Sequence, residues 1–341
     1  MKTYRIGLMG FGLIGRQIYR LAQENPRMEI VAISDHGRPE ILHHLLTRSR
    51  AAASISLEGN YLVSQSGRTR LLPADRPGEI PWDVFDTDVV IDATGRFRTP
   101  ESLQPHLDSG APRVVISTLP ETPIDRVLIN GVNQSTAMAA DRLISAGSAS
   151  TSATALALKT ILESCELEHA SMTSVHAYTS DQSLQDYAGP DYRRSRSGAE
   201  NIIPNHTPAL ACVQAVLPQM QGKMTAYALN VPVQTGSLLD LSLVFSDPAV
   251  TAEDVNALFV QAEKAEGNGG LIETTQDPIV SSDVKGCRAS LLVDLDATIK
   301  AGERTIKLLG WHESLGHAQR LLEVAALYCD LDPEHRMEDA Q

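Results

Sequence analysis

The chain has 341 residues, 43% of them hydrophobic, and a formal net charge of −13. This length predicts two domains, and the acidic balance argues against a nucleic-acid partner, because phosphate binding needs a basic surface. The four cysteines are widely spaced and no long apolar run occurs, so we expect no metal site, no disulfide framework, no membrane span and a cytoplasmic location.

The first half of the chain alternates short apolar runs with helical patterns. Strands are predicted at YRIGLMG (4–10), EIVAISD (29–35), DVVIDATG (88–95), RVVIST (113–118) and RLISA (142–146), and helices over 13–23 and 39–47. Strands that alternate with helices predict a mostly parallel sheet. Residues 1–148 are therefore predicted to form an α/β domain.

The pattern changes after residue 148. A long helix is predicted over 150–163, then a strand ASMTSVHAY (170–178), a polar loop (179–201) and strands MTAYALNV (224–231), LLDLSLVF (238–245), RASLLVDLDA (288–297) and RTIKLLGW (304–311). Sequential strands with short turns predict an antiparallel or mixed sheet, hence an α+β domain over 149–312. The amphipathic final helix, 315–328, is expected to return to the first domain, which residues 313–341 complete.

The segment GFGLIG has the pattern GxGxxG between the first strand and the first helix. In a Rossmann fold, Gly10 allows the tight turn, Gly12 lets the backbone approach a pyrophosphate, and Gly15 lets the helix pack against the strand. The helix N-terminus offers N–H groups to the phosphates. The predicted cofactor-binding residues of this turn are Gly10, Phe11, Gly12, Leu13, Ile14 and Gly15.

Asp35 ends the second predicted strand, at the position where a Rossmann fold binds the adenosine ribose. Its carboxylate would accept hydrogen bonds from the ribose hydroxyls and repel a 2′-phosphate. NAD is therefore the predicted cofactor, and the neighbouring His36 and Arg38 leave NADP as the alternative.

Several longer segments resemble one known family. They are GFGLIGR at the glycine turn, DATGRF around Thr94 and Gly95, GVN ending at Asn133, SVHAYTSDQ (174–182), RRSRSGAENIIP (193–204) and LNVP ending at Pro232. Over nearly its whole length the chain resembles glyceraldehyde-3-phosphate dehydrogenases and their erythrose-4-phosphate relatives. The resemblance implies a Rossmann domain interrupted by a catalytic domain, NAD, a tetramer, and thiohemiacetal chemistry on a cysteine.

One segment departs from the family pattern. The family reads S-N-A-S-C-T-T-N-C where this chain reads SAGSASTSATAL (145–156), so Ala149 occupies the position of the nucleophilic cysteine. The family chemistry needs a thiolate, which attacks the aldehyde and then holds the acyl group as a thioester. Ser148 and Ser150 point about 100° away on the helix, and a serine without a base is a poor nucleophile.

The resemblance also assigns roles to other residues. His176 in SVHAY matches the family's catalytic base, although a histidine packed in a strand is the alternative interpretation. Thr94, Gly95 and Ser117 match cofactor-binding positions, and Glu313 aligns with an asparagine that fixes the nicotinamide amide. An ionised carboxylate accepts from that amide but cannot donate to it.

The two anion sites of the family are only partly retained. Six residues match them and one replaces an arginine. The matching residues are Ser148, Thr151, Thr179, Asp181, Arg194 and Thr207, and the replacement is Asn230. Pro208 further replaces a glycine that offers a backbone N–H. Loss of a cation and a donor weakens anion binding.

These departures lead to two functional predictions. The first is an NAD-binding homologue that has lost phosphorylating aldehyde oxidation and has a binding or regulatory role. The alternative is an active NAD-dependent oxidoreductase that uses His176 as base on a related phosphorylated aldehyde or alcohol, without a thioester. A small phosphorylated metabolite and further copies of the chain, forming a tetramer, are the other expected partners.

Overall fold

The structure is a computed structural model that describes residues 3–48, 54–179 and 182–331. It divides into two compact units. Unit 1 comprises residues 1–128, 133–147 and 318–341, and unit 2 comprises residues 129–132 and 148–317, within the described ranges.

Unit 1 contains a nine-stranded sheet in the order β3-β4-β5-β2-β1-β6-β7-β9-β8. All pairs are parallel except β3 with β4 and β4 with β5. The strands are β1 (Tyr4–Met9), β2 (Met28–Ser34), β3 (Ser56–Glu58), β4 (Tyr61–Ser64), β5 (Gly67–Leu72), β6 (Val89–Asp92), β7 (Val114–Ile116), β8 (Arg126–Val127) and β9 (Leu143–Ser145). The predicted parallel α/β sheet is confirmed.

Helices α1 (Leu13–Gln23), α2 (Pro39–Thr47) and α3 (Pro100–Asp108) connect strands of this sheet. Strands β6 and β7 are buried along their whole length and apolar except for Asp92 at the end of β6, as expected of parallel strands covered on both faces. The last helix, α7 (Ser314–Leu331), is included in unit 1 from residue 318 onward. There the hydroxyl of Tyr328 donates to Asp141 Oδ2 at 2.8 Å, which anchors the helix in this unit.

Unit 2 contains a seven-stranded mixed sheet in the order β11-β12-β10-β13-β16-β15-β14. The pairs β10–β12 and β14–β15 are parallel and the others antiparallel, which confirms the predicted mixed sheet. The strands are β10 (Leu167–Ala177), β11 (Ile203–Asn205), β12 (Met224–Val231), β13 (Ser237–Phe245), β14 (Ile272–Thr275), β15 (Leu291–Lys300) and β16 (Thr305–His312).

Helices α4 (Ala149–Leu162), α5 (Ala209–Val216) and α6 (Ala252–Lys264) belong to the same unit. One face of the sheet and the side chains of α4 form its hydrophobic core. Most of α4 is buried, and its small residues allow close approach to the sheet. Its Thr154 hydroxyl contacts Met172 Sδ of β10 at 3.0 Å.

Some predicted boundaries were wrong. The long helix begins at Ala149, not at residue 150, because the Ser148 side chain caps it by accepting from Thr151 N at 3.3 Å. The final helix extends to Leu331, and the strand predicted from residue 288 begins at Leu291.

Several elements were not predicted at all. The hairpin strands β3 to β5 are short and partly exposed, so they lack a continuous apolar run. Helix α3 contains Pro105, which obscures its helical pattern. The start of helix α6 could have been predicted, because Thr251 and Asp254 form a capping box.

Candidate functional site

The first candidate site lies at one edge of the unit 1 sheet. The carboxyl ends of the parallel strands β2, β1, β6 and β7 are adjacent there. Since β2 lies on one side of β1 and β6 on the other, the strand order reverses at β1, which is where open α/β sheets bind ligands. The structure brings together at this edge the predicted glycine turn after β1, Asp35 after β2, Thr94 and Gly95 after β6, and Ser117 after β7.

The glycine turn has the geometry of a cradle for a phosphate group. Gly10 has a φ of +88°, and a Cβ at Gly15 would lie 2.1 Å from the Gly10 carbonyl oxygen, so both positions require glycine. A Cβ at Gly12 would meet nothing within 4 Å. Gly12 precedes α1, and no side chain caps that helix. The turn therefore presents open space beside the positive end of a helix dipole.

Asp35 supports this turn directly. Its Oδ2 accepts from Phe11 N at 2.7 Å and its Oδ1 accepts from Gly37 N at 2.8 Å. A carboxylate has about four acceptor positions. Asp35 therefore keeps acceptor capacity for the hydroxyls of a bound ribose while it holds the turn in place.

The second turn at this edge follows β6. Thr94 donates to Asp92 Oδ1 through its backbone N–H at 2.8 Å and through its hydroxyl at 2.6 Å. Gly95 has a φ of +70°, and Ser117 N donates to the Asp92 carbonyl at 3.0 Å. Asp92 thus joins the turn after β6 to the turn after β7.

A cavity of about 400 Å³ opens in the same unit, close to this turn. Arg96 lies 5.1 Å from the ring centroid of Phe97 and pairs with Asp75 at 3.1 Å. The lining residues are Arg76, Pro77, Arg96, Phe97, Ser102 and Pro105.

The second candidate site is a polar row at one end of the unit 2 sheet. The row consists of Asn230, His176, Ser237 and His312, on β12, β10, β13 and β16. His176 pairs with Asn230, and Ser237 pairs with His312. Since Val175 pairs with Leu238, His176 lies opposite Ser237. The four side chains lie on the sheet face that carries the hydrophobic core of the unit, at one end of that face.

The N-terminus of α4 lies toward this row. Helix α4 ends at Leu162 and β10 begins at Leu167, so the two elements run antiparallel. Thr154 contacts Met172 midway along them. Ala149, the first residue of α4, is therefore at the same end of the unit as His176.

Two histidines face each other in the polar row. The rings of His176 and His312 are 5.8 Å apart in an edge-on arrangement, and His176 Nε2 is 3.0 Å from Ser174 Oγ. Burial lowers the pKa of His176. Burial, with His176 and His317 nearby, lowers the pKa of His312 to about 3. Both imidazoles are therefore neutral at pH 7, and His312 is too weak a base to take up a proton there.

Amide side chains extend the row on the other side of His176. Asn230 Nδ2 donates to Gln182 Oε1 at 3.1 Å, and Asn205 Nδ2 donates to Asn230 Oδ1 at 3.5 Å. Thr179 N also donates to Gln182 Oε1, at 3.2 Å. Gln182 and Asn230 are both more than nine-tenths buried. A neutral amide network thus occupies the position where the family resemblance implied a cation.

The other predicted anion-site residues are spread over several elements. Ser148 Oγ and Thr151 Oγ1 are 2.8 Å apart at the start of α4. Thr207 Oγ1 accepts from Ala209 N at 3.2 Å at the start of α5, where Pro208 precedes the helix. Arg194 lies in the loop between β10 and β11, and its backbone N–H donates to Asp191. Asp181 lies outside the described residues.

Glu313 acts as a local cap of α7. Its Oε2 accepts from Leu315 N at 2.8 Å, and its Oε1 accepts from the Ser314 hydroxyl at 2.9 Å. Its carboxylate is therefore held by the helix that follows it.

Sequence reasoning missed Ser237, His312, Gln182 and Asn205. Gln182 lay inside the segment SVHAYTSDQ used for the resemblance, but no role was assigned to it. Strand pairing brings Ser237 and His312 into the row with His176, and side-chain hydrogen bonds join Gln182 and Asn205 to it through Asn230.

Lowering the pH is expected to destabilise the protein through His312. In the unfolded chain a histidine binds a proton near pH 6.5, whereas folded His312 binds one only near pH 3. The unfolded state therefore binds more protons between these values, and stability falls as pH drops below 6.5. At pH 5 the loss from this residue is about 2 kcal/mol.

Urea unfolding at pH 7.5 and pH 5.0 measures this loss. His312→Phe keeps an aromatic ring and removes the titration. Between pH 7.5 and pH 5.0 its free energy of unfolding should therefore fall by about 2 kcal/mol less than that of the wild type. Equal losses in both proteins would contradict a neutral His312.

Within residues 3–48, 54–179 and 182–331 no group of three His, Cys, Asp or Glu side chains is placed to hold a metal ion. In the same ranges no helix has the length and apolar character to cross a membrane.

Both units match family models. Residues 4–100 match the model of the glyceraldehyde 3-phosphate dehydrogenase NAD binding domain, and residues 148–314 match that of the glyceraldehyde 3-phosphate dehydrogenase C-terminal domain.

Curated relatives match along most of the chain. It is 35% identical over 330 residues to glyceraldehyde-3-phosphate dehydrogenase 1 of Bacillus subtilis (strain 168), covering 94% of this chain and 97% of that protein. It is 36% identical over 329 residues to the glyceraldehyde-3-phosphate dehydrogenase of Streptomyces coelicolor, with the same coverage. The identity to the Geobacillus stearothermophilus enzyme is 35% over 329 residues, again covering 94% and 97%.

Proposed function

Because the chain belongs to the glyceraldehyde-3-phosphate dehydrogenase family and has NAD as its cofactor, we propose that it binds NAD without performing phosphorylating aldehyde oxidation. The observation that carries this proposal is Ala149 at the first position of α4. A helix N-terminus lowers the pKa of a thiol placed there, and an alanine methyl cannot form a thioester. A binding or regulatory role then replaces catalysis.

The native cysteines support the same proposal, because the pKa values of three of them are raised, which disfavours the reactive thiolate. Cys165 follows the C-terminal end of α4, and burial raises its pKa. Burial raises the pKa of Cys212 to about 12 and also raises that of Cys287. Cys329 is buried in α7. A protonated thiol is a poor nucleophile.

An activity assay tests the proposal. Purified protein mixed with glyceraldehyde 3-phosphate, NAD and inorganic phosphate should produce no NADH above the rate without enzyme. NADH formation at the rate of an ordinary family member would overturn the proposal.

A second candidate function is supported by the retained His176. Its pKa is lowered by burial, so the imidazole is neutral and able to accept a proton near pH 7. In this proposal the protein is an oxidoreductase that transfers hydride between NAD and a phosphorylated aldehyde or alcohol without a thioester. A screen of such compounds by NADH absorbance, with His176→Asn as control, separates the two functions.

The assignment of roles to residues follows the same proposal. Residues 1–148, completed by 313–341, bind NAD, and residues 149–312 form the catalytic-type domain. Asp35 binds the adenosine ribose, so calorimetry should show tighter binding of NAD than of NADP. Stronger binding of NADP would remove this role from Asp35.

We propose that the protein is a cytoplasmic homotetramer. The loop between β10 and β11 exposes large apolar side chains, among them Tyr192 at 97% exposure, and aromatic side chains are enriched in protein interfaces. Light scattering should give a mass near four times 36.9 kDa, and a monomeric mass would contradict this assembly. All four cysteines are free thiols, as expected in a reducing compartment, and cell fractionation checks the location.

A further inference from the structure

A buried hydrogen-bonded chain lies directly behind the turn of Thr94 and Gly95. Trp82 Nε1 donates to His106 Nδ1 at 3.1 Å, and His106 Nε2 is 3.4 Å from Asp92 Oδ2. The other oxygen of Asp92 accepts from Thr94 N and the Thr94 hydroxyl. Trp82 and His106 are 0% exposed and Asp92 is 2% exposed.

The indole fixes the tautomer of His106. A tryptophan N–H only donates, so His106 Nδ1 must be the acceptor. The proton of the neutral imidazole is therefore on Nε2, which points at Asp92. The chain has one direction, with Trp82 donating to His106 and His106 donating to Asp92.

Asp92 depends on these donors. A buried carboxylate is stable only when hydrogen bonds replace the water it has lost. Thr94 satisfies Oδ1, and His106 is the partner of Oδ2. Without His106, Asp92 Oδ2 would lose its hydrogen-bond donor. Rotation of the carboxylate toward another donor would then break the hydrogen bonds from Thr94 to Oδ1.

The Thr94 turn is in contact with the glycine turn. The Cβ position of Gly10 is 2.9 Å from Thr94 N, so the two backbones touch. A displacement of Thr94 would therefore move Gly10, which begins the phosphate cradle.

We propose that His106 is a positioning residue for NAD binding: through Asp92 it holds the turn of Thr94 and Gly95 against Gly10. His106 is fully buried and acts without touching the cofactor. The role is independent of the missing nucleophile, because it concerns the affinity for NAD and not the fate of an aldehyde.

Calorimetric titration with NAD tests the proposal in three variants. His106→Leu should weaken NAD binding about 10-fold, because Asp92 loses its donor. His106→Gln can accept from Trp82 and donate to Asp92, and should retain affinity within about 3-fold. Val114→Ala alters the same core cluster and should lower the Tm without changing the Kd.

Two results would overturn the role. One is wild-type NAD affinity in His106→Leu, and the other is an equal loss of affinity in Val114→Ala at a matched loss of Tm. The nitrogen-15 NMR spectrum of His106 in the wild-type protein is decisive even if His106→Leu does not fold. It should show the Nε2–H tautomer, and an Nδ1–H tautomer would contradict the direction of the hydrogen bonds from Trp82 through His106 to Asp92.

Discussion

Ala149→Cys is expected to create a thiol that iodoacetamide alkylates on the order of 50 times faster at pH 7 than any native cysteine. The new side chain would stand at the first position of α4, where the helix dipole favours a thiolate and brings its pKa to about 7. The native thiols Cys165, Cys212 and Cys287 have pKa values raised by burial, which disfavours the thiolate of each at pH 7.

The measurement is the alkylation rate against pH, followed by mass spectrometry of the peptide that contains residue 149. Adding His176→Asn to the cysteine variant separates the contribution of the imidazole from that of the helix. Alkylation no faster than at Cys165 would show that the N-terminus of α4 does not activate a thiol.

Aldehyde oxidation by Ala149→Cys should remain far below that of an ordinary family member. The neutral network of Asn230 and Gln182 lies where a cation is expected, and small misplacements of a substrate cost about 100-fold in rate. Full activity in this single variant would show that the amide network and Glu313 are compatible with catalysis.

Gly12→Ala is expected to weaken NAD binding about 100-fold while the Tm of the protein without cofactor stays unchanged. Gly12 has a φ of −66°, and its Cβ would meet nothing within 4 Å, so the folded protein accepts the methyl group. The same open space is where a pyrophosphate would approach the backbone. The methyl group therefore competes with the cofactor alone.

Gly15→Ala is the matched comparison. Its Cβ would lie 2.1 Å from the Gly10 carbonyl oxygen, so α1 must shift away from β1 and both stability and affinity should fall. Calorimetry with NAD and thermal unfolding without it distinguish the two variants. Wild-type affinity in Gly12→Ala would show that the pyrophosphate does not occupy this cradle.

The sequence by itself determined the parallel α/β architecture and the cofactor. Both depend on local patterns: apolar runs that alternate with helices, and GFGLIG placed between a strand and a helix with Asp35 at the end of the next strand. Such signals lie within a few tens of residues, so the chain can be interpreted without knowledge of its folded contacts. The change of pattern after residue 148 likewise predicted the mixed sheet.

Only the tertiary structure decided which polar groups surround His176 and which support the cofactor turn. His312 and Ser237 reach His176 by pairing of strands that are distant in sequence, and no local pattern marks a residue for such a row. His106 lies in helix α3, which was not predicted from the sequence, and only the fold places it between Trp82 and Asp92. Long-range hydrogen bonds depend on packing between elements, and that is why periodicity and motifs identified the cofactor turn but not the residues behind it.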